Sequence, residues 1–580
     1  MKKLPSTDII EKSLMILGGI IMKKSLIFLL IMFIGAGLVV SNIVLGDEDS
    51  TKEISGGSEI VVGDTLVDDG RYAMVSKDKL LVPVEILKKY IFKNAAIDPD
   101  GNRIFIHIDS PKFQLESKNL TDRIKNGISI NFPTQKIDGV QYLNISGLEK
   151  VLGIKACYVE STNKLLIDKI EGKEKVGEIK KDTSLRSLTS FLGFRNKIQK
   201  LEKGDTVVLF NEEGSYYKAR SQNGYIGLVS KSKVQKREKS YQTDMKLNQV
   251  REKFVSDEKL NMVWHQISMS TPDISKDETI LGLNVLMPTW FSINDESGNV
   301  INKSDIKYVK DAHEKGYKVW ALIDNSFNKD LTSKILKDDS IQENIISQIL
   351  VYSSMYDLDG INIDFENVYY EDKDKLTNFV YKLTTALKEQ NLIVSIDMTV
   401  PSTSLTWSKF YDRPKLSQIV DYCMIMCYDE TPPGSKKSGS VASINWVVGG
   451  IENTIKSGVP TEKIILGVPF YTREWEETKD SSGNITVKGQ AIGMKVVKER
   501  IKNFSCSPVW IDDCGQYYIE YMKDSKKYRI WVEDERSIEL KASLVNKYNL
   551  AGISSWKKGF EVNAIWNVLN NMLKDEKAKL

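Results

Sequence analysis

The chain has 580 residues, of which 41% are apolar. This length exceeds what one hydrophobic core usually supports, so three or four domains are expected. Its 81 lysines and arginines nearly balance its 78 aspartates and glutamates, which leaves a formal net charge of +3. So small and dispersed an excess is not the basic face that nucleic-acid binding requires. No nucleic-acid partner is therefore predicted.

An apolar run near the N-terminus, Leu26–Leu45, follows two lysines. At helical rise it is about 30 Å long, which matches the hydrocarbon core of a bilayer. The preceding lysines favour the cytoplasmic side, which places the chain after Asp47 outside. Residues 1–46 are predicted to be a cleaved signal peptide or an uncleaved anchor. The length of the run and the lack of a clear A-x-A site favour the anchor, so we expect an extracytoplasmic protein, membrane-anchored or secreted to the cell wall.

The cysteines and histidines do not form a metal-binding pattern. The three histidines lie in different segments: His107, His265 and His313. No metal and no cofactor are therefore predicted, and the chemistry must come from carboxylates. Cys506 and Cys514 are close enough in sequence to close a small surface loop, and a disulfide or two free thiols both remain open. Cys423 and Cys427 lie on one predicted strand, too far apart for a bridge, and are predicted to be packed thiols.

After a polar linker at 47–57, residues 58–171 contain a weak internal repeat. Each copy predicts a strand, a short helix and a hairpin. The copies are carried by 82–89 with 102–106, and by 143–150 with 163–167. This pattern resembles the stalk-like domain related to the N-terminal domain of copper amine oxidases. The resemblance implies a spacer or wall-contact module without copper chemistry.

Residues 174–235 contain short β-prone runs joined by glycine-containing turns, which predicts a small all-β barrel. This segment resembles a bacterial SH3 domain, with Tyr216 or Tyr217 and Leu228 in place of the family's usual tryptophans. The resemblance implies a non-catalytic module that contacts cell-wall peptide or glycan. Because those tryptophans are missing, a plain spacer is an equal alternative. A charged linker is expected at 236–254.

Residues 255–576 alternate apolar, β-prone runs with amphipathic helical stretches, a pattern typical of parallel α/β architecture. Eight predicted strands, rather than five or six, favour a closed (β/α)₈ TIM barrel. These strands are predicted at 261–267, 282–287, 319–323, 360–365, 393–398, 422–427, 464–468 and 552–555. An extra segment at 473–530, between the seventh strand and its helix, is expected to form a small α+β lobe. The predicted fold class is α/β, preceded by an α+β domain and an all-β domain.

The candidate chemistry lies at the end of the fourth predicted strand, in Asp359-Gly360-Ile361-Asn362-Ile363-Asp364-Phe365-Glu366. Because side chains alternate along a strand, Asn362, Asp364 and Glu366 share one face. Glu366 lies at the C-terminal end, where barrel active sites open. Ionisation of one carboxyl raises the pKa of its neighbour, which suits Glu366 as a protonated acid near neutral pH. The alternative, an internal ion-pair network, needs several basic partners, and only Arg473 is a good candidate.

This run resembles the catalytic signature Asp-Gly-x-Asp-x-Asp-x-Glu of glycoside hydrolase family 18. Further matches are Met426-Cys427-Tyr428-Asp429, Gly467-Val468-Pro469-Phe470-Tyr471 and Gly552-Ile553-Ser554-Ser555-Trp556. Where the signature has its first inner carboxylate, this chain has Asn362, which removes a buried charge and is expected to alter the pH profile.

The resemblance implies substrate-assisted hydrolysis with retention. Glu366 would protonate the glycosidic oxygen while the substrate's 2-acetamido oxygen attacks the anomeric carbon. Asp364 would orient the acetamide N–H, and Tyr428 would bind its carbonyl oxygen. Asp429 would hold the sugar and Trp556 would form an apolar floor, with core packing as the alternative for Tyr428 and Trp556. The remaining predicted cleft residues are Asn362, Met426, Tyr471, Arg473 and Trp475, whereas Asp359 is predicted to fix the start of the strand.

Three hypotheses of different classes follow. The first is a cell-wall hydrolase that cleaves peptidoglycan at N-acetylglucosamine, which fits a tether, a stalk and a wall-type module. The second is a chitinase or another endo-N-acetylglucosaminidase with the same chemistry. The third is a non-catalytic glycan-binding protein on a retired barrel, against which the presence of Glu366, Asp364 and Tyr428 argues. A monomer is expected.

Overall fold

The computed structural model describes residues 57–98, 100–109, 122–170, 173–190, 194–240, 258–479, 481 and 483–574. The predicted membrane segment and most of both predicted linkers lie outside these ranges. Within them, the helices are all too short or too polar to span a bilayer.

In the N-terminal part of the chain, the described residues include two sheets and short helices. Its elements are β1 (Glu59–Val62), β2 (Thr65–Leu66), β3 (Met74–Val75), β4 (Leu80–Pro83), α1 (Val84–Tyr90), β5 (Ala96–Ile97), β6 (Arg103–Ile108), β7 (Ile128–Ile137), β8 (Val140–Asn144), α2 (Glu149–Leu152), β9 (Ile154–Val159) and β10 (Lys164–Lys169). The sheet orders are β2-β1-β10-β9 and β3-β4-β8-β7-β6-β5. Each copy of the repeat thus has a strand, a helix and a hairpin, and the equivalent strands β4 and β8 pair antiparallel. The likeness to a stalk domain stays a prediction.

The next part of the chain is an antiparallel seven-stranded sheet of order β13-β12-β16-β15-β14-β11-β17. Its strands are β11 (Lys173–Ile179), β12 (Thr183–Arg186), β13 (Lys197–Leu201), β14 (Thr206–Glu213), β15 (Tyr216–Ser221), β16 (Ile226–Ser230) and β17 (Val234–Ser240). One correction concerns the linker predicted from residue 236, because β17 continues to Ser240 and pairs along its whole length with β11. The likeness to an SH3 domain stays a prediction.

Residues 258–574 form a closed parallel barrel, as predicted. Its strands are β18 (Leu260–His265), β19 (Val285–Pro288), β22 (Lys318–Asp324), β23 (Gly360–Asp364), β24 (Ile393–Thr399), β25 (Tyr422–Met426), β26 (Ile464–Pro469) and β32 (Gly552–Trp556). Each strand pairs in parallel with its neighbours, and β32 pairs with β18 to close the ring. A hairpin that the sequence analysis did not predict, β20 (Phe291–Ile293) and β21 (Val300–Asn302), follows the second barrel strand.

Helices cover the outside of the barrel. They are α3 (Ile306–Glu314), α4 (Lys329–Ile335), α5 (Asp339–Met355), α6 (Lys373–Lys388), α7 (Arg413–Ile419), α8 (Ile444–Lys456), α10 (Glu535–Lys547) and α11 (Ala564–Lys574), with α9 (Met494–Asn503) in the lobe described below. Several begin at an aspartate whose side chain accepts from the first free backbone N–H groups, as Asp305 does for α3 and Asp338 for α5. These caps fix where each helix starts and so fix the lengths of the loops at the barrel mouth.

Alternating side chains on the barrel strands separate two apolar layers. One set fills the barrel interior, including Met262, Trp264 and Trp320. The other packs under the helices and includes Ile361 and Ile363 of β23. The polar residues between them on β23 therefore point inward, as the alternation predicted.

The insertion after the seventh strand forms a lobe with an antiparallel sheet of order β28-β27-β31-β30-β29. Its strands are β27 (Tyr471–Lys479), β28 (Ile485–Gly493), β29 (Val509–Ile511), β30 (Gln516–Lys523) and β31 (Lys526–Val532). The lobe is slightly longer than the predicted 473–530. Cys506 and Cys514 are both free thiols here, so the alternative with a disulfide is not the one observed. Cys423 and Cys427 are buried free thiols, as predicted.

The N-terminal sheets contact the barrel through a buried polar network. Asn131 of β7 donates from Nδ2 to the carbonyl of Val300 at 2.6 Å and accepts from the Asn302 N–H at 3.0 Å. The Tyr352 hydroxyl of α5 accepts from the Asn131 N–H at 3.0 Å. Since buried polar groups need partners, this network ties the hairpin β20–β21 to the N-terminal region.

Candidate active site

The inner row of β23 lies inside the barrel as predicted. Asn362 is fully buried, and 7% of Asp364 is exposed. Asn362 accepts a hydrogen bond from Trp264 Nε1 at 3.0 Å and donates to Ser395 Oγ at 3.0 Å and to Asp397 Oδ1 at 2.8 Å. The amide thus fixes the bottom of the row by bonds to the first and fifth barrel strands.

Asp397 of β24 is a buried carboxyl that the sequence analysis missed. Ser395, Asp397 and Thr399 are alternate residues of β24 and therefore lie on one face of the strand. These three polar residues face inward, like the row on β23. The alternation of polar residues in the predicted fifth strand was a signal that could have identified it.

The carboxyls of the row have raised pKa values. Burial, together with the negative charges of Asp429 and Asp324, raises the pKa of Glu366 to about 7. Burial raises the pKa of Asp364 well above its usual value, and the charges of Glu366, Asp397 and Asp324 add to this. The sequence analysis attributed the raised pKa of Glu366 to its neighbour on the strand, whereas burial is the larger cause.

No ion pair joins Asp364, Glu366 or Asp397 to a basic side chain within the described ranges. Arg473, the one candidate partner, instead lies 2.9 Å from Asp429. Among the same residues, Asp364 Oδ1 is buried without a hydrogen-bond partner. Among the residues that the structure describes, the row is therefore not an internal ion-pair network.

A cavity of about 500 Å³ opens beside Glu366. Four predicted residues line it: Glu366, Met426, Tyr428 and Asp429. The sequence analysis missed the other lining residues, which are Thr399, Trp407, Glu430, Pro432 and Trp446. Apolar rings beside a few carboxyls are the usual lining of a sugar site, because ring faces stack on the apolar faces of sugars while carboxyls bind hydroxyls.

Tyr428, Asp429 and Tyr471 form one cluster at the mouth. The ring of Tyr428 meets those of Tyr471 and Trp264 edge-on, with centroids 6.3 and 6.4 Å apart. The Tyr471 hydroxyl donates to Asp429 Oδ1, which also accepts from Arg473 Nη2 at 2.9 Å. Asp429 has a φ of 60°, a conformation that non-glycine residues seldom adopt and that is common in functional loops. Tyr471 and Arg473 therefore orient Asp429 toward the cavity and are themselves nearly buried.

Trp556 and Trp475, both predicted at the cleft, differ in environment. Trp556 is partly exposed at the end of β32 and contacts Trp264, with ring centroids 6.0 Å apart. It does not line the cavity beside Glu366. Trp475 is fully buried and donates from Nε1 to the carbonyl of Gly439 at 2.8 Å. The prediction that Trp475 lines the cleft is wrong, because this side chain of β27 is buried where the lobe packs on the barrel.

Asp359 fixes the start of the fourth strand, as predicted. Its Oδ2 accepts from the Val319 N–H at 2.8 Å and lies 2.7 Å from His313 Nε2, while Lys318 Nζ lies 3.0 Å from Oδ1. Although burial raises the pKa of Asp359, these partners lower it below the usual value. Asp359 is an ionised structural residue on the opposite end of the strand from Glu366.

A closed parallel barrel with buried carboxyls beside aromatic rings at the carboxyl ends of its strands fits a glycosidase of the TIM-barrel class. The family model described as Glycosyl hydrolases family 18 matches residues 264–561, more than half of the chain. The chain belongs to this family, and it is a glycosidase.

Relatives and solved structures resemble this part of the chain. YvbX of Bacillus subtilis, an uncharacterized glycosylase, is 27% identical over 300 residues, which are 50% of this chain and 84% of YvbX. The cortical fragment-lytic enzyme of Bacillus anthracis is 29% identical over 252 residues, which are 42% of this chain and only 56% of that enzyme. A chitinase structure from Chromobacterium violaceum has a TM-score of 0.48 and 22% identity and covers 55% of this chain and 99% of its own.

Proposed function

We propose that the protein is a retaining, substrate-assisted hydrolase that cleaves β-1,4 linkages at N-acetylglucosamine, with cell-wall peptidoglycan as its substrate. The observation that carries this proposal is the pairing of Glu366 with Asp364. One is a carboxyl with a pKa of about 7 at the cavity, and the other is a buried carboxyl whose pKa is raised well above its usual value.

Glu366 is suited to the role of general acid. A carboxyl with a pKa near the working pH is protonated often enough to donate and acidic enough to give up its proton. It lies at the cavity wall, where it would protonate the glycosidic oxygen and later activate a water. Because the substrate's acetamide oxygen attacks the anomeric carbon, no nucleophile from the protein is required.

Asp364 and Tyr428 are suited to orient the acetamide. Asp364, two residues before Glu366 on the same inward face, would accept from the acetamide N–H and stabilise the positive charge on the cyclic intermediate. Tyr428, which lines the same cavity, would donate to the acetamide carbonyl oxygen. Asp429, which lines the cavity, would bind sugar hydroxyls.

The choice of peptidoglycan rests on context. A relative named as a cortical fragment-lytic enzyme favours a cell-wall glycan. An N-terminal membrane segment, a stalk-like domain and a wall-type SH3 domain would deliver a monomeric barrel to a polymer beside the membrane. Chitin, or another glycan with the same linkage, is the second candidate, since the chemistry at Glu366 is identical.

The test is product analysis on the purified full chain and on its Glu366→Gln variant, with peptidoglycan and chitin oligomers in parallel. Reducing-end release and product mass are measured. We expect the wild type to release fragments of peptidoglycan that end in N-acetylglucosamine, and the variant to release them at least about 100-fold more slowly. Cleavage of chitin alone would move the protein to the second candidate. Binding of both glycans without cleavage would contradict the proposal.

A further inference from the structure

The backbone ladder of the fourth barrel strand ends before its last functional residue. Asp324↔Asp364 is the last Cα pair with β22, and Ile363↔Ile396 is the last with β24. Asn367 then has a φ of 51°, which turns the chain away from the barrel. The peptide groups on both sides of Glu366 therefore lie beyond the ladder. Backbone N–H and carbonyl groups at such a depth need other partners.

The side chain of Asn325 supplies both partners. Its Oδ1 accepts from the Glu366 N–H at 3.0 Å, and its Nδ2 donates to the Glu366 carbonyl at 2.8 Å. A carboxamide presents one acceptor and one donor in a plane, as a peptide group does. Asn325, which immediately follows β22, thus continues the ladder by one step with its side chain.

Asn325 is itself held rigidly. Only 1% of it is exposed, and its Nδ2 also donates to Thr332 Oγ1 of α4 at 2.8 Å. The Thr332 hydroxyl donates in turn to the carbonyl of Asn328, the residue that caps α4. On the other side of Glu366, the buried Tyr411 hydroxyl donates to the Phe365 carbonyl at 2.9 Å. The segment that carries Glu366 is therefore clamped by the segments that follow both neighbouring strands.

We propose that Asn325 is a positioning residue for hydrolysis, which holds the backbone of Glu366 so that its carboxyl stays at the cavity wall in one orientation. This inference rests on the proposed role of Glu366 as the acid. Misplacement of a catalytic group by about 1 Å can reduce the rate about 100-fold. Loss of the clamp should therefore lower the rate of hydrolysis.

The clamp also bears on the protonation of Glu366. The titratable groups that face Glu366 come from four strands or their following loops: Asp324, Asp364, Asp397, Tyr411, Tyr428, Asp429 and Glu430. The positive charge of Lys303 partly offsets the raised pKa of Asp324, and Arg473 forms an ion pair with Asp429. Because burial is the larger cause of the raised pKa of Glu366, loosening the segment and admitting water lowers that pKa.

The test compares Asn325→Leu with a matched control, Gln348→Met, in the full chain. Gln348 of α5 is equally buried and clamps backbone in the same way. Its Oε1 accepts from the Val300 N–H at 3.0 Å, and its Nε2 donates to the Gly298 carbonyl at 2.8 Å. Both variants lose one acceptor and one donor to the backbone, but only Asn325→Leu affects Glu366.

We expect Asn325→Leu to lower kcat about 10- to 100-fold with KM changed less than about twofold. The basic limb of its kcat/KM profile should move to lower pH. Hydrogen exchange of the Glu366 amide should become faster in Asn325→Leu and stay slow in Gln348→Met, whose kcat and pH profile should match the wild type. Asn325→Asp should recover activity relative to the wild type as the pH falls, because a protonated carboxyl again offers one donor and one acceptor.

The two proposals fail in different ways. If Glu366→Gln keeps wild-type activity, the proposed function is wrong, whatever Asn325 does. If Glu366→Gln is inactive but Asn325→Leu matches Gln348→Met in kcat, pH profile and exchange of the Glu366 amide, the clamp is wrong and the proposed function stands. An equal loss of activity in both variants, with unchanged pH profiles, would also overturn the clamp, because it would show a general effect of lost stability.

Discussion

Glu366 at the barrel mouth and Glu533 at the end of the insertion lobe are both glutamates withdrawn from water, but their surroundings differ. Glu533 is 1% exposed and accepts two hydrogen bonds of 2.8 Å from Lys541 Nζ. It also accepts from Gln516 Nε2 and Ser537 Oγ, both at 2.6 Å. Glu366, in contrast, has Asp429 and Asp324 among the charges that act on it, and no ion pair within the described residues.

The difference shows how a buried acid with a structural role can be distinguished from one with a chemical role. A buried carboxylate is costly unless a cation and hydrogen bonds compensate it. At Glu533 the fold supplies all of these, so the residue is structural. At Glu366 the fold supplies burial together with negative neighbours, and these raise its pKa to about 7. Such an uncompensated arrangement is expected only where its cost is balanced by function.

The same substitution, glutamate to glutamine, should have different effects at Glu366 and Glu533, and the largest expected effect is on kcat at Glu366. Glu366→Gln should lower kcat by about 10²- to 10⁴-fold, because general acid catalysis contributes that range, while the folded structure is retained. Steady-state kinetics and circular dichroism measure the two quantities. If Glu366→Gln kept the wild-type kcat, Glu366 would not be required for catalysis and would not differ from Glu533 in that respect.

Glu533→Gln should lower the stability of the protein and leave kcat unchanged. It leaves Lys541 buried with an uncompensated charge, and breaking a buried pair costs about 3 to 5 kcal/mol of unfolding free energy. Urea denaturation measures this loss, and kcat of the remaining folded protein should not change. Loss of kcat without loss of stability would contradict a purely structural role for this pair.

A smaller effect concerns stability as a function of pH. The pKa of Asp364 is raised in the folded state, so this residue favours folding below its unfolded pKa of about 4, and that contribution is lost as the pH rises through the folded pKa. The stability of Asp364→Asn relative to the wild type should therefore be greater at pH 8 than at pH 4. Denaturation curves at the two pH values test this. A constant difference between wild type and variant would show that Asp364 does not carry a shifted pKa.

The smallest expected effect is a displacement of the pH profile. Asn362→Asp restores the carboxyl that the family signature has and removes the donor that Asn362 gives to Asp397 at 2.8 Å. The added negative charge raises the pKa of the neighbouring acids, so the basic limb of kcat/KM should move to higher pH by up to about 1 unit. Asn362→Leu, which adds no charge, is the control. Equal profiles for the two variants would show that charge at this position does not set the pH dependence.

The sequence by itself determined the barrel and the strand face that carries its candidate acid. Alternation of apolar runs and helices gave eight strands close to their observed bounds, because strand periodicity and helix amphipathicity are local properties. The spacing of Asn362, Asp364 and Glu366 determined that they share the inner face, since side chains alternate along any strand.

Only the tertiary structure decided which residues of other strands complete the site. Asp397, Trp407, Trp446 and Asn325 lie about 30 to 80 residues from Glu366 in sequence, and strand closure brings them to it. The burial of Trp475 against the barrel was likewise set by how the lobe docks. Whether an acid has a cation beside it depends on side chains from distant segments, and among the described residues Glu533 has one and Glu366 has none. A sequence pattern records which residues share a strand face, but not which charges the closed barrel places opposite them.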